Sequence, residues 1–557
     1  MILKEYIVTL KNRNDLDSFY LEMESESDTE YIPKRAVQVV RRRPNSKNTN
    51  YLLSDEEANL LRSDYRVEAV NISLSLSNIT IGPLWNQSEN SWNKTSALVR
   101  DHKNWGLFRC SFGQQINGWG SDDTPSQSGS INIPFEAANV DVVIVDGHAN
   151  PGHPEFAKYG DGSGYSRMIQ YNWFQHEPNV SGGSVSTYPY PTTASQYNNT
   201  NDNHGCHVAG IVAGNSNGWA REANIYNIKP YGSVVVSDQL FEYIREFHLS
   251  KPTNPATGFR NPTIVNNSWN YTQNIDITEI ISINYRGNVV TGPFTIADTA
   301  NLIQYGLVNS SNGIYNLGAM RSDIKTDIED CIDAGIIFVG AAPRNGFKID
   351  VYGGPDYDNY IQTASSNIYY HRGASPVTDV RNDGTKLTLT VGAIDSLSIE
   401  SKANLSGTGP RVDIFAPGFN IMSSVNTPFG FSGVSDPRNA AFYLTKNSGT
   451  SLAAAQATGV LACYIGQYPS SNMSSIIDIV SSNLSSNGQI FLGTESLTDY
   501  SNPRSLLGAP NLYLNASFTV SSNGYARGSV GVIYPPLKYL ARAGLIRYPR
   551  VKTKQTN

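Results

Sequence analysis

Residues 447 to 462 read Asn-Ser-Gly-Thr-Ser-Leu-Ala-Ala-Ala-Gln-Ala-Thr-Gly-Val-Leu-Ala, an uncharged run dominated by small and apolar side chains. Alanine favours the helix and Gly449-Thr450 supplies a turn before it, so the pattern predicts a buried helix with Ser451 at its N-terminus. There the unpaired backbone N–H groups and the positive end of the macrodipole stabilise negative charge developing beside Ser451 Oγ as it attacks a carbonyl. Gly-Thr-Ser before a helix is also a common cap with no chemistry, so this reading requires a base and an orienting acid elsewhere.

Both types of residue occur upstream. Residues 201 to 214 read Asn-Asp-Asn-His-Gly-Cys-His-Val-Ala-Gly-Ile-Val-Ala-Gly, and residues 140 to 148 read Val-Asp-Val-Val-Ile-Val-Asp-Gly-His. The second is the pattern of a buried parallel strand whose carboxyl end carries an acid, Asp146. An acid at a strand end often only caps a turn, but a partner histidine turns the assignment towards catalysis. Asp146, His204 and Ser451 then follow one of the known chain orders of an Asp, His, Ser set.

The stretches His204-Gly-Cys-His-Val-Ala-Gly, Leu389-Thr-Val-Gly-Ala-Ile-Asp, Val412-Asp-Ile-Phe-Ala-Pro-Gly and Ser448-Gly-Thr-Ser-Leu-Ala resemble the motifs of the subtilisin-like serine peptidases. Asn104-Trp-Gly-Leu-Phe-Arg and His153-Pro-Glu-Phe are similar to further segments of that family. The implied activity is hydrolysis of peptide bonds through an acyl-enzyme. Serine is a poor nucleophile at neutral pH, and an imidazole whose pKa lies near working pH can take its proton. His204 is accordingly assigned as general base and then general acid, with Asp146 holding its tautomer. His207 corresponds to the motif's second, non-catalytic histidine. Cys206, where relatives commonly have threonine, reads as a small buried filler. His148, His153, His204 and His207 raise a zinc alternative, but the His-Glu-x-x-His spacing is absent and no metal ligands are assigned.

The oxyanion segment departs from the family pattern. It reads Val339-Gly-Ala-Ala-Pro-Arg-Asn-Gly, and ungapped counting puts Arg344 where relatives carry an asparagine, with Asn345 one residue late. Pro343 restricts itself and Ala342, so a local bulge returns Asn345 to the site, or Arg344 supplies a cationic donor; Asn345 is preferred. The resemblance also implies that an extended peptide adds as a strand beside 266–270 and 340–343. Its candidate contacts are Ser268, Trp269, Asn270, Gly340, Ala341 and Ala342, with Trp269 either stacking on a pocket or lying in the core.

Strands and helices that alternate along the chain, with apolar strand runs, imply an α/β fold: a mostly parallel sheet covered by helices on both faces. At 557 residues the chain has room for more than the catalytic domain, which is expected over 102–490. Residues 1–80 carry a strand, helix, strand, helix, strand pattern, including Leu16, Phe19, Tyr20 and Met23 at helical spacing and a capping box at Ser54 and Glu57. This small α+β module resembles the inhibitory prosegment of the family, which implies an intramolecular chaperone that blocks the groove. A polar linker over 81–101 would hold the maturation cut, and 491–557 would be a C-terminal extension.

Net charge of −6 excludes a whole-molecule nucleic-acid binder, yet beyond residue 500 the chain has basic residues and no acids. That tail is either solvated or able to dock an acidic partner. The widely spaced Cys110, Cys206, Cys331 and Cys463 are expected as free thiols. The charged start Met-Ile-Leu-Lys-Glu is no secretory signal, and no run reaches membrane-spanning length, while the compartment stays open. Polypeptide substrate and the chain's own prosegment are the expected partners, with no cofactor for the chemistry. Structural calcium is common in the family, but no spacing here identifies ligands. The rival reading is a subtilisin-like scaffold used for binding or assembly, including in a virion, with the altered oxyanion segment and basic tail as its signs.

Overall fold

A computed structural model describes residues 2–26, 29–73, 79–83, 104–112, 130–131, 136–182, 200–230, 239–344, 347–378, 380, 388–396, 401–427, 433–482 and short pieces beyond, including 485–487 and 512–514. Asn345, most of the linker over 81–101 and most of the extension over 491–557 lie outside the described residues.

The N-terminal module comprises β1 (Lys4–Leu10), α1 (Leu16–Met23), β2 (Val39–Arg41), β3 (Asn48–Leu53), α2 (Asp55–Leu61) and β4 (Val67–Ile72). Its antiparallel sheet has the order β2-β3-β1-β4. Tyr6, Val8 and Leu10 alternate along β1 and pack with Phe19, Tyr20 and Met23 of α1 in one core. The capping box forms: Ser54 Oγ accepts from Glu57 N–H while Glu57 Oε2 accepts from Ser54 N–H. Strand β3 is not visible in the sequence pattern, because it opens with Asn48-Thr-Asn instead of apolar residues. Those polar side chains are buried, and that of Asn48 bonds to another part of the protein, as described below.

Next, β5 (Ile79–Pro83) leaves this module and joins a different sheet. The body contributes β6 (Asp141–Val145), β7 (Met168–Ile169), α3 (Thr200–Ala213), β8 (Asn224–Ile228), α4 (Leu240–Ser250), β9 (Thr263–Asn267), β10 (Trp269–Asp276), β11 (Ile314–Gly318), α5 (Ser322–Asp333) and β12 (Ile337–Ala341). Then come β13 (Leu389–Ile394), β14 (Ile414–Pro417), β15 (Ile421–Val425), β16 (Asn439–Asn447), α6 (Thr450–Gln467), β17 (Ser485–Asn487) and β18 (Leu512–Leu514). The central sheet has the order β17-β18-β14-β13-β12-β9-β6-β8-β7, parallel throughout except for β17.

Strand β6 shows why its sequence is a continuous apolar run. Val142 and Ile144 enter the core on the α3 and α6 face, while Val143 and Val145 enter the core on the α4 and α5 face. Helix α6 is buried on all sides between the sheet and α3, as its alanines foreshadow. The segment after β9 is elaborated: β10, β11 and neighbouring strands surround their own cluster of Ile275, Ile277, Ile283, Phe294, Leu302, Tyr315 and Leu317. Among the described residues, no helix is long and apolar enough to cross a membrane.

The module and body interlock through buried polar groups. Arg43 pairs with Glu242 of α4 and, at 2.6 Å, with Asp327 of α5, and the whole of its side chain is buried. Ser46 Oγ and Asn48 Nδ2 donate to the same Asp327 carboxylate at 2.7 and 3.0 Å, and Asn48 Nδ2 also donates to the Asp323 carbonyl at 2.9 Å. Asn48, which opens β3, is therefore an interface residue.

Candidate active site

Asp146 directly follows β6, and its main-chain N–H is held by the Ile228 carbonyl at 3.0 Å. Its Oδ1 accepts from Gly147 N–H at 2.7 Å and from His204 Nδ1–H at 2.6 Å. Both side chains are buried. An Nδ1 donor to the carboxylate fixes the neutral ring with Nε2 as its basic nitrogen. The approach depends on Gly205: a Cβ there would lie 1.9 Å from the Gly147 carbonyl oxygen. Glycine after the histidine therefore lets α3 rest directly on the turn that carries Asp146.

His207 has a different role. Its Nε2–H donates to the Thr445 carbonyl at 3.1 Å, and burial lowers its pKa to about 3, so the ring is neutral and structural. Cys206 is buried against β15, where Ser424 Oγ donates to the Cys206 carbonyl at 2.9 Å. His153 packs against Phe156 and Phe442 and donates from Nε2 to the Tyr443 carbonyl at 3.1 Å. Among the described residues, no group of three or more His, Cys, Asp or Glu side chains could hold a metal ion.

Ser451 is the second residue of α6 and is buried. Its Oγ donates to the Ser268 carbonyl at 3.3 Å, while Ser268 Oγ donates to the Ser451 carbonyl at 3.1 Å. Asn266 Nδ2 donates to Ser268 Oγ at 2.9 Å, and Thr458 Oγ1 donates to Asn266 Oδ1 at 2.9 Å. Thr458 lies two turns along α6 from Ser451, so this relay fixes the helix to the end of β9 at both points. Sequence reading missed Asn266 and Thr458. The signal for Thr458 was its polarity inside a mostly apolar run and its i, i+7 spacing from Ser451, whereas Asn266 lies in the polar stretch Asn266-Asn267-Ser268, which singles out none of its members.

The register brings the two halves together. Val145 of β6 pairs with Asn267 of β9, so Asp146 and Ser268 follow adjacent strand ends on one rim of the sheet. Helices α3 and α6, which carry His204 and Ser451, pack against each other across that face. Right-handed crossovers gather distant residues at such a rim.

The remaining expected residues are placed as follows. Trp269 contributes its backbone to a ladder, but its indole is fully buried, stacked on Phe241 with centroids 6.5 Å apart and edge-on to Tyr271 at 5.3 Å. Asn270 follows it in β10. Gly340 and Ala341 belong to an interior strand, β12, whose neighbours β9 and β13 already flank it, and Ala342 N–H donates to the Val391 carbonyl at 2.9 Å. Gly340 pairs with Asn267 of β9 and Thr390 of β13, and Ala341 with Val391 of β13. Arg344 bridges to Ser406 through its backbone and has an exposed side chain, while Asn345 lies outside the described residues.

Residues 137–490, more than half of the chain, match the model of the subtilase family. The chain belongs to the subtilase family. Among curated relatives of this subtilase, subtilisin-like protease 2 of Pseudogymnoascus destructans is 26% identical over 191 residues, covering 32% of this chain and 41% of the relative. Subtilisin-like serine protease Pen c 2 of Penicillium citrinum is 24% identical over 273 residues, covering 48% of this chain and 41% of the relative. The chain thus spans about two fifths of the length of each. The crystal structure of the epidermin leader peptide processing serine protease of Staphylococcus aureus is 15% identical with a TM-score of 0.49, covering 93% of this subtilase and 97% of that chain.

Proposed function

We propose that this subtilase is a serine endopeptidase whose nucleophile is Ser451, with His204 as general base and Asp146 as its orienting acid. The observation that carries the proposal is the 2.6 Å bond from His204 Nδ1 to Asp146 Oδ1, on the same sheet rim as the Ser268–Ser451 pair. In the proposed reaction Ser451 Oγ attacks the scissile carbonyl carbon as its proton passes to His204 Nε2. Collapse of the tetrahedral adduct breaks the C–N bond, and the imidazolium gives that proton to the leaving amine. A water then attacks the acyl-enzyme, its proton going to His204 and on to the departing Ser451 oxygen. The Ser451 backbone N–H and the Asn345 amide are the proposed oxyanion donors, with Arg344 the alternative for the second.

The substrate is proposed to be polypeptide bound as a strand, and the N-terminal module to be the intramolecular inhibitor. The buried Arg43 contacts with α4 and α5 support the second point. So does β5, which pairs antiparallel with β10 from Ile79 opposite Gln273 to Pro83 opposite Trp269 and so runs towards Ser268.

The test is to incubate purified wild type and Ser451→Ala and to map self-cleavage by mass spectrometry. Cleavage between residues 75 and 105 in wild type alone supports the proposal. An intact chain in both, with no covalent labelling of Ser451, favours a scaffold without peptidase activity.

A further inference from the structure

Glu155 carries a wholly buried carboxylate, and a loop of the chain closes around it. Its Oε1 and Oε2 accept from Ser216 N–H at 3.2 and 3.0 Å, and Oε2 also accepts from Asn217 N–H at 3.2 Å. A Cβ on Gly214 would lie 2.2 Å from Oε2, so the backbone comes as close as only glycine permits. This loop starts where α3 ends at Ala213. Its Asn217 Oδ1 accepts from Asn104 N–H at 2.9 Å, and Asn104 Oδ1 accepts from Gln456 Nε2 of α6 at 2.8 Å. Neutral N–H groups orient a buried carboxylate but do not balance its charge, and an unbalanced buried charge is strongly destabilising.

The balancing charge comes from Arg438, in the turn between the strand Val434–Asp436 and β16. Its Nη2 lies 2.5 Å from Glu155 Oε1 and 2.6 Å from Asp436 Oδ2, and its Nε lies 2.9 Å from Asp436 Oδ1. The Asp436 carboxylate is buried as well. One nitrogen thus stands between two carboxylates from different elements, at separations close to the roughly 2.3–2.6 Å that a calcium ion keeps from its oxygens. Arg167, the neighbouring guanidinium, donates instead to the main-chain carbonyls of Ala213 at 2.8 Å and Glu155 at 3.0 Å. Burial by itself raises the Glu155 carboxyl, but Arg438 more than offsets this and the net shift is downward. Burial likewise lowers Arg438, yet Asp436 and Glu155 hold it above its usual range.

We propose that Arg438 is a built-in cation, whose guanidinium does at this place the work of a bound divalent ion by tying Glu155, the loop after α3 and the hairpin that leads into Ser451 into one unit. The segments that follow Asp146 and His204 and the one that precedes Ser451 meet at this single charge. β16 carries the constraint onward, because His153 and His207 donate to its Tyr443 and Thr445 carbonyls, both at 3.1 Å. Without the guanidinium, Glu155 and Asp436 would face each other as two buried anions, and the place would acquire a demand for a divalent cation that the natural chain lacks. The inference concerns the architecture of the body and holds whether or not Ser451 is a nucleophile.

The experiment follows thermal melting of full-length Ser451→Ala in excess EDTA and in millimolar calcium chloride, alone and with Arg438→Met added. Methionine keeps much of the arginine stem and removes its charge. In EDTA the Arg438→Met chain is expected to melt about 5–10 °C below its parent, and calcium to raise it by several degrees more than it raises the parent. Adding Glu155→Gln to Arg438→Met should abolish that extra response, because only Asp436 then keeps its charge. Equal calcium responses in parent and Arg438→Met overturn the inference, as does a response that survives Glu155→Gln, or an Arg438→Met chain that melts with its parent in EDTA. Folding of Arg438→Met in calcium alone supports it. If that variant folds in neither condition, Arg438→Lys decides: melting near the parent supports a cation at this position, and failure to fold overturns it.

Discussion

Ser451 and Ser268 bond to each other reciprocally: each hydroxyl donates to the other's main-chain carbonyl, at 3.3 and 3.1 Å. One residue at the head of a helix and one at the end of β9 are thereby locked together, so the proposed nucleophile and the proposed substrate strand share a reference point.

Removing half of that lock is expected to disturb catalysis more than folding. Ser268→Ala loses the donor to the Ser451 carbonyl and deprives Asn266 Nδ2 of its acceptor. The expected effects are a kcat about tenfold lower, KM little changed, and a stability loss of about 1 kcal/mol. Steady-state kinetics beside thermal melts check this. An unchanged kcat would show that Ser451 is positioned by α6 alone.

Gly205 should tolerate no side chain. A Cβ placed 1.9 Å from the Gly147 carbonyl must push α3 off the Asp146 turn, because the obstacle is backbone and cannot rotate away. Gly205→Ala is expected to lose roughly 1–3 kcal/mol of stability and about a hundredfold or more in kcat. Measuring both separates misplacement of His204 from simple unfolding.

Asp327 and His207 should shift stability with pH in opposite directions. Burial pushes the Asp327 carboxyl up from 3.8 to about 7, against the pull of Arg43. The folded protein therefore keeps a proton that the unfolded chain releases between about pH 4 and 7, and this contribution to stability fades as pH rises through that window. His207 is the reverse case: burial lowers it from 6.5 to about 3, so the body loses stability as pH falls through that range. Calorimetry of full-length Ser451→Ala from pH 4.5 to 8 should show the Asp327 contribution growing on acidification and the His207 contribution shrinking. Asp327→Asn should remove the first contribution only. An Asp327→Asn variant with the same pH dependence as its parent would contradict this account of Asp327.

For the oxyanion segment, Asn345→Ala is expected to lower kcat by about 10² to 10³ with KM nearly constant, whereas Arg344→Ala should have little effect. Kinetics of the two variants on one peptide decide between them. The reverse pattern would assign the donor to Arg344.

Much of the body was legible in the sequence because its chemistry forces simple patterns. A strand buried on both faces, such as β6, must be apolar at every position, and a helix enclosed on all sides, such as α6, must be small and uncharged. The module was partly legible for the same reason: the capping box at Ser54 and Glu57 is local, so spacing alone reveals it. What stayed hidden depended on distant partners. β3 begins with Asn48 because its neighbour is Asp327, and β5 is a strand because β10 extends far enough to pair with it. Trp269 was ambiguous for a related reason, since only the packing of Phe241 and Tyr271 shows that its ring is core.

The identity of the nucleophile is tested most directly by reaction with a fluorophosphonate followed by peptide mapping. The account expects one adduct on the peptide containing Ser451 in wild type, none in Ser451→Ala, and labelling slowed by orders of magnitude, up to about 10⁴, in Asp146→Asn. No adduct on Ser451 in wild type, or labelling in Asp146→Asn at the wild-type rate, would contradict it.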